Sequence, residues 1–416
     1  MRNPEDRTPS QPTPATLKRT VGFGFLVLYG LGTIVGGGFY ALTGKVAAVS
    51  GINAPVAFLL AGLLALLTGL SYAELSSRFP HSAGSARYVE AAFGGNSLAA
   101  VTGWLIICTG IVSAATLCVA TIGFLQDLIN APYVLSLAAL VVIITVVAIV
   151  GISEAVSAVV IITVIEVGAL VYICVVKGDV VLASPERLVD VFIPNGIPAW
   201  SGIFVAAFLA FYAFIGFEDM VTLAEEVKDA RRTVPRAIIT SVLCTLVIYA
   251  AVATIAVLAV EPAALANART PLALVIADEG WFGRAGIGIV SILTGINGAL
   301  VQVIMAARVV YGMSKRGQAP VWLGAINPRT RTPIRASLLA GAVILGLALT
   351  FDLATLAKIT SAIILVIFAM VNLSLLIIKR DQAAPSGDIA VPQFVPLLGA
   401  LACAALLLFQ VWNLTV

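Results

Sequence analysis

The chain has 416 residues, of which 60% are apolar and 11% charged, with a net charge of +3 and a mean hydropathy of +1.07. Soluble domains carry about 25% charged residues, so this composition excludes a soluble globular enzyme, a nucleic-acid binder and a disordered chain. It leaves an all-α polytopic membrane protein.

The first twenty residues hold Pro4, Pro9, Pro12 and Pro14 among polar neighbours and read as a disordered tail. Apolar runs of roughly 20 residues, the length that crosses a hydrocarbon core, then follow eleven times: 22–43, 53–76, 97–126, 132–150, 156–176, 200–226, 236–260, 284–313, 335–351, 354–377 and 391–412. The first is full length and is followed by no small-residue cleavage site, so it reads as a span and not as a removable signal. The five cysteines (Cys108, Cys118, Cys174, Cys244, Cys403) lie inside these runs without CxxC spacing. His81 is the only histidine. Such an inventory is too poor for a zinc site or a Ser-His triad, and no metal or cofactor is expected.

Lys and Arg set the orientation. With a cytoplasmic N-terminus, only Lys45, Lys177, Arg187, Arg269, Arg284 and Lys358 fall outside, and the other eighteen of the 24 basic residues fall inside. An odd number of spans then places the C-terminus outside. The expected setting is the cytoplasmic (inner) membrane, with lipid around the chain.

Two spans depart from the plain Leu/Val/Ile/Ala pattern. The first carries GLGTIVGGGFYALTG (30–44), with five glycines from Gly30 to Gly38, and each mid-helix glycine costs about 1 kcal/mol relative to alanine. The sixth carries FLAFYAFIGFEDMVTLAEE (208–226), in which Gly216 is followed by Glu218 and Asp219. A mid-span carboxylate costs about 2.5–3.5 kcal/mol on the insertion scale. Taken singly, Gly32 and Gly36 read equally well as a small-xxx-small packing pair, and the acids as an early end to the span. Together, each opens a set of five spans. That is the layout of two five-helix repeats of opposite topology, and paired interruptions of this kind point to a transporter site.

Interrupted helices are tolerated in hydrocarbon only where they line a cavity, so the residues indicate a carrier with a site at mid-membrane. Where the first helix resumes, the amides of Gly36, Gly37 and Gly38 can hold an anion. The carbonyls of Thr33, Ile34, Tyr212, Ala213 and Ile215 can accept hydrogen bonds from a cation. An anion site beside a cation site suits the carboxylate and ammonium of an α-amino acid, and glycine lets the ligand approach the backbone. Phe39, Phe211, Phe214 and Phe217 read either as core packing or as walls for the variable group. Asn297 and Thr294, mid-span in the eighth run, read as site lining or as helix–helix hydrogen bonds.

The segments GTIVGGGFY (32–40), YAELSSRFPHSAGSARYVEAAFG (72–94), FYAFIGFEDMVTLAEEVKDARRTVPRAI (211–238) and NGALVQVIMAARVVYGMSKRGQAP (297–320) resemble the amino acid–polyamine–organocation (APC) superfamily. The likeness is to its bacterial amino acid permeases with the LeuT-type 5+5 inverted-repeat fold. The resemblance implies discontinuous helices 1 and 6, secondary active import of L-amino acids by alternating access, and no enzymatic activity. It implies a carboxylate on the Gly36–Gly38 amides and an ammonium on carbonyls around Ile34, Tyr212, Ala213 and Ile215, with Phe214 and Gly216 in the same stretch. On this reading the chain divides into a tail (1–20), a transport core (21–380, with repeats at 21–177 and 199–380) and an additional C-terminal span within 381–416. Many relatives have twelve spans, and this chain has eleven.

Coupling turns on Glu166, which stands mid-span where proton-coupled relatives often carry a lysine in place of a sodium ion. An intramembrane acid is by default a functional residue, as in proton relays, and proton symport is favoured over sodium; a structural pairing is the third reading. Glu218 falls in the first turn of the second half-helix, where the dipole favours a negative charge, and reads equally as structural or as a gate. An exchanger or a sodium symporter of the same fold is the alternative. A channel is disfavoured because no filter-like loop is present.

Overall fold

The computed structural model describes residues 19–80, 84–150, 155–280, 282–381 and 389–415. Residues 1–18 of the expected tail and His81 lie outside the described residues.

Eleven long apolar helices run through the described chain. They are α1 (Phe23–Ser50), α2 (Ala54–Arg78), α3 (Asn96–Leu128), α4 (Tyr133–Val150), α5 (Ala155–Lys177), α6 (Gly196–Ala210), α7 (Ala230–Ala259), α8 (Ile287–Lys315), α9 (Ile334–Thr350), α10 (Leu353–Asp381) and α11 (Phe394–Thr415). Each apolar run of the sequence corresponds to one of them. The largest disagreements are at ends. α1 continues seven residues past the expected Thr43, because the half-buried Lys45 does not end the helix: its Nζ donates to the Ala266 carbonyl at 3.2 Å. Connections that carry no apolar run also contain helix. The Gly84–Phe93 helix lies against α3 and α10, and the short helices Pro262–Asn267 and Pro271–Val275 lie against α1.

Lipid offers no hydrophobic drive for helix association, so the bundle is held by close packing and a few internal polar contacts. Buried apolar residues form two main bodies. One is centred on α1, α2, α6 and α7, with Phe39, Phe58, Phe208 and Tyr249 among its large members. The other joins α3, α4, α8 and α9 through Leu117, Ile144, Val303 and Ile344. The two meet where α1 crosses α3 and α8, and the sequence-predicted site falls on that seam.

Polar contacts fasten the periphery. Glu74 on α2 is fully buried and accepts from Arg78 (2.6 Å), from Lys379 of α10 (2.7 Å) and from the Val391 amide ahead of α11 (2.8 Å). One turn earlier, Asn372 of α10 accepts from Ser71 (2.6 Å) and donates to Thr68 (3.1 Å). The chain ahead of α1 pairs with the chain ahead of α7. The Val21 amide donates to the Glu226 carbonyl (3.0 Å) and the Lys228 amide to the Val21 carbonyl (2.9 Å). At the opposite end, Lys177 pairs with Asp278 (2.7 Å) and Glu279 (3.0 Å), while Thr270 donates to Asp127 (2.7 Å).

Candidate functional site

Both glycine-marked spans are interrupted. In α1 the break is at Gly36, whose φ of 23° and ψ of −176° are non-helical. α6 tightens into a 3-10 turn at Phe211–Phe214, becomes extended at Ile215 (ψ 139°), passes through Gly216 at φ 130°, and resumes as 3-10 helix over Phe217–Glu226. The second half is therefore more tightly wound than the α-helix expected there. Gly216 is required twice over. Its φ lies where side chains are strained, and a Cβ there would strike the Thr33 carbonyl oxygen of α1. The two interruptions thus lie side by side.

A narrow cavity of about 30 Å³ opens between them, lined by Gly32, Thr33, Ile34, Gly36 and Gly38 of α1, Tyr212 and Ile215 of the α6 break, and Asn297 of α8. Ser113 and Leu117 of α3 and Gly298, Val301 and Gln302 of α8 complete the wall. Beyond the break a new half-helix starts after Gly36, and the first amides of a helix lack intrahelical partners. That end of the half-helix is suited to an anion.

Four sequence-predicted residues stand behind this wall. Gly37 faces Gly295 and Leu117, where its missing side chain lets α1 approach α8. Gly216 forms the turn, and Phe214 packs its ring on Tyr249 with centroids 5.1 Å apart. The Ala213 carbonyl receives the Tyr249 hydroxyl at 3.1 Å. The other aromatics belong to the core: Phe39 stacks on Tyr249 at 3.9 Å, and Phe211 and Phe217 pack against Phe368. In this structure these rings pack in the core and none of them lines the cavity.

Tyr249 of α7 is the residue that sequence reasoning missed. Its hydroxyl lies 3.3 Å from the Ile34 carbonyl, 3.1 Å from that of Val35 and 3.1 Å from that of Ala213. A hydroxyl has one proton to donate, so the three carbonyls share it across both breaks. Nothing in the sequence distinguishes Tyr249 from the chain's other tyrosines. Ser113, whose hydroxyl is 3.0 Å from that of Tyr212, carried no signal either. Gln302 could have been found by the mid-span polarity that singled out Asn297.

The acids divide by partner. The Glu218 carboxylate accepts from the Gly216 amide at 2.9 Å, a contact that fits the structural one of its two readings. Asp219 Oδ2 is buried with no hydrogen-bond partner. Glu166 of α5 is 0% exposed, and neither carboxyl oxygen has a hydrogen-bond partner. Its main-chain carbonyl accepts from Tyr40 of α1 at 2.7 Å, and Thr294 of α8 stands close to its side chain. Glu166 lies outside the cavity wall, reaching it only through α1 and α8. Among the described residues, no three His, Cys, Asp or Glu side chains come together as a metal site would require. Away from the spans, Lys177 holds the Asp278 carboxyl below the usual carboxylate range through a direct hydrogen bond.

Comparison with known proteins finds similarity along nearly the whole chain. The amino acid permease family matches residues 22–416. An uncharacterized transporter of Mycobacterium tuberculosis is 30% identical over 411 residues, covering 98% of this chain and 89% of its own length. A branched-chain amino acid permease of Bacillus subtilis is 28% identical over 421 residues, covering 95% and 89%. A methylthioribose transporter of the same organism is 26% identical, covering 98% and 91%.

Proposed function

From the premise that this chain belongs to the amino acid permease family, we propose that it imports L-amino acids by alternating access, gripping them with the peptide groups of two interrupted helices. The observation that carries this is the contact of the Gly216 turn with the Thr33 carbonyl. It supports a site in which helix-start amides and helix-end carbonyls face one cavity. The substrate carboxylate sits on the Gly36–Gly38 amides, where the half-helix dipole is positive. The ammonium sits on carbonyls of Thr33, Ile34, Tyr212 and Ile215, with Asn297 closing the site from α8.

Coupling is to protons, through Glu166. Its full burial with no cation beside it among the described residues, the Thr294 hydroxyl close by being turned to the Val290 carbonyl, favours this reading, because a proton removes the cost of an uncompensated buried charge. A rearrangement of α1 against α5 and α8 is what gives that proton a way out. Glu218, held by the Gly216 amide, sets the turn and is not itself the carrier. The basic residues place the N-terminus in the cytoplasm, so the Val21–Val227 pairing closes the inner end and the Lys177–Asp278 pair lies outside. On this assignment the spans within 21–177 and 199–380 are the two inverted halves, and α11 is an addition to them.

Uptake of labelled amino acids into proteoliposomes, with proton and sodium gradients imposed separately, tests the proposal. Accumulation driven by the proton gradient is the expected result, with decarboxylated amines competing far worse than their parent amino acids. Equal competition by the amines would contradict the carboxylate assignment.

A further inference from the structure

The thirteen residues that line the cavity include no charged side chain, yet the wall is not uniformly apolar. Gln302 of α8 reaches it, is only 8% exposed, and has a side-chain oxygen fully buried with no hydrogen-bond partner. The backbone of the two breaks can satisfy the common part of an α-amino acid, but nothing in that part is needed to pair this amide. Its neighbours do not pair it: the Tyr212 and Ser113 hydroxyls are engaged with one another. A buried amide oxygen without a partner is costly, and the cost ends when a ligand group supplies the missing bond. A side chain that merely fills the space next to Leu117 and Val301 leaves the cost in place. A charged side chain would bring an unpaired charge into an uncharged wall.

We propose that Gln302 selects neutral polar substrates, amino acids whose side chain carries an amide or a hydroxyl, over aliphatic ones of the same shape. Such groups both donate and accept, so they pair with either end of the Gln302 amide. This rests on the reading that an α-amino acid occupies the cavity. The size of the effect follows from an unpaired buried acceptor, on the order of ten- to a hundred-fold between matched ligands. Recognition by a polar group is the kind of selectivity that rejects an isostere lacking it.

Matched pairs test the proposal: asparagine against leucine and threonine against valine, which differ in polarity far more than in shape. Two readouts serve, uptake into proteoliposomes and ligand-induced thermal stabilisation of the purified full-length protein, which needs no turnover. Wild-type protein is expected to prefer asparagine over leucine and threonine over valine by at least about ten-fold in half-saturating concentration. In Gln302→Leu and Gln302→Met the ratio is expected to collapse toward one or invert, whatever the absolute rate. Equal affinities for both members of each pair in wild type, or an unchanged ratio in both variants, would overturn the role of Gln302 and leave amino acid transport standing. If no amino acid is taken up or stabilises the fold, the proposed function fails first and this inference goes with it.

Discussion

The Tyr249 hydroxyl stands 3.1 Å from the carbonyl of Val35 and no further from that of Ala213, so one side chain on α7 ties the end of one half-helix to the end of another. Any movement that separates the two interruptions has to release this proton from one of its acceptors. Tyr249→Phe keeps the stack on Phe39 and removes only the donor. Transport at low substrate is expected to fall by a few-fold to about ten-fold, with a small drop in melting temperature, as for one lost hydrogen bond. Initial uptake rates and thermal melts of the variant check both.

Gly216→Ala is expected to be far more severe. The backbone there is held at φ 130° and the new methyl would meet the Thr33 carbonyl. Strain at such a position costs on the order of 1–3 kcal/mol before any clash is counted. Uptake should fall at least about a hundred-fold, and ligand-induced stabilisation should vanish even in detergent preparations that remain folded. Retention of full activity would mean that the turn is not where the substrate is gripped.

Glu166→Gln keeps the shape of the side chain and removes its exchangeable proton. The variant is expected to equilibrate substrate across the membrane but not to concentrate it when a proton gradient is imposed. Wild type should concentrate substrate under the same gradient. Counterflow and gradient-driven uptake, measured side by side, separate the two behaviours. Normal concentrative uptake by the variant would remove Glu166 from the coupling step.

Glu74 sits between two cations, and the two ways of breaking that group are unequal. Lys379→Met leaves Glu74 with Arg78 and the Val391 amide. Glu74→Gln removes the carboxylate from the largely buried Lys379 ammonium, which keeps the Val391 carbonyl, and loss of that counter-charge is expected to cost about 3–5 kcal/mol. The melting temperature should therefore fall markedly more for Glu74→Gln than for Lys379→Met. Restoring much of the loss by combining the two changes would identify charge imbalance, not lost packing, as the cause.

The Lys177–Asp278 pair predicts a pH dependence. Because pairing lowers the folded-state pKa of Asp278, its contribution is present above the unfolded carboxyl's pKa and is lost as pH falls through the folded value. Asp278→Asn should lower the melting temperature slightly at neutral pH, with the gap to wild type closing in acid. Asp278 is exposed and Glu279 also meets Lys177, so the effect is small and screened by salt. A gap that persists unchanged at acid pH would assign it to something other than this charge.

Local composition determined the eleven spans, their order and the two interruptions, because an apolar run long enough to cross lipid has few alternatives and glycine clusters weaken a helix wherever they fall. The Glu74–Arg78 pair is likewise local, four residues apart on one helix face. The tertiary structure decided what those features are for. Lys379 and the Val391 amide reach Glu74 across some three hundred residues of chain, and Tyr249 and Gln302 matter only because packing aims them at the breaks. Phe39 and Phe211, which the sequence left open between core and pocket wall, pack in the core here. The physical reason is that helix formation in lipid is a short-range matter of backbone hydrogen bonds and side-chain polarity. Which polar atom is left without a partner depends on every helix packed around it.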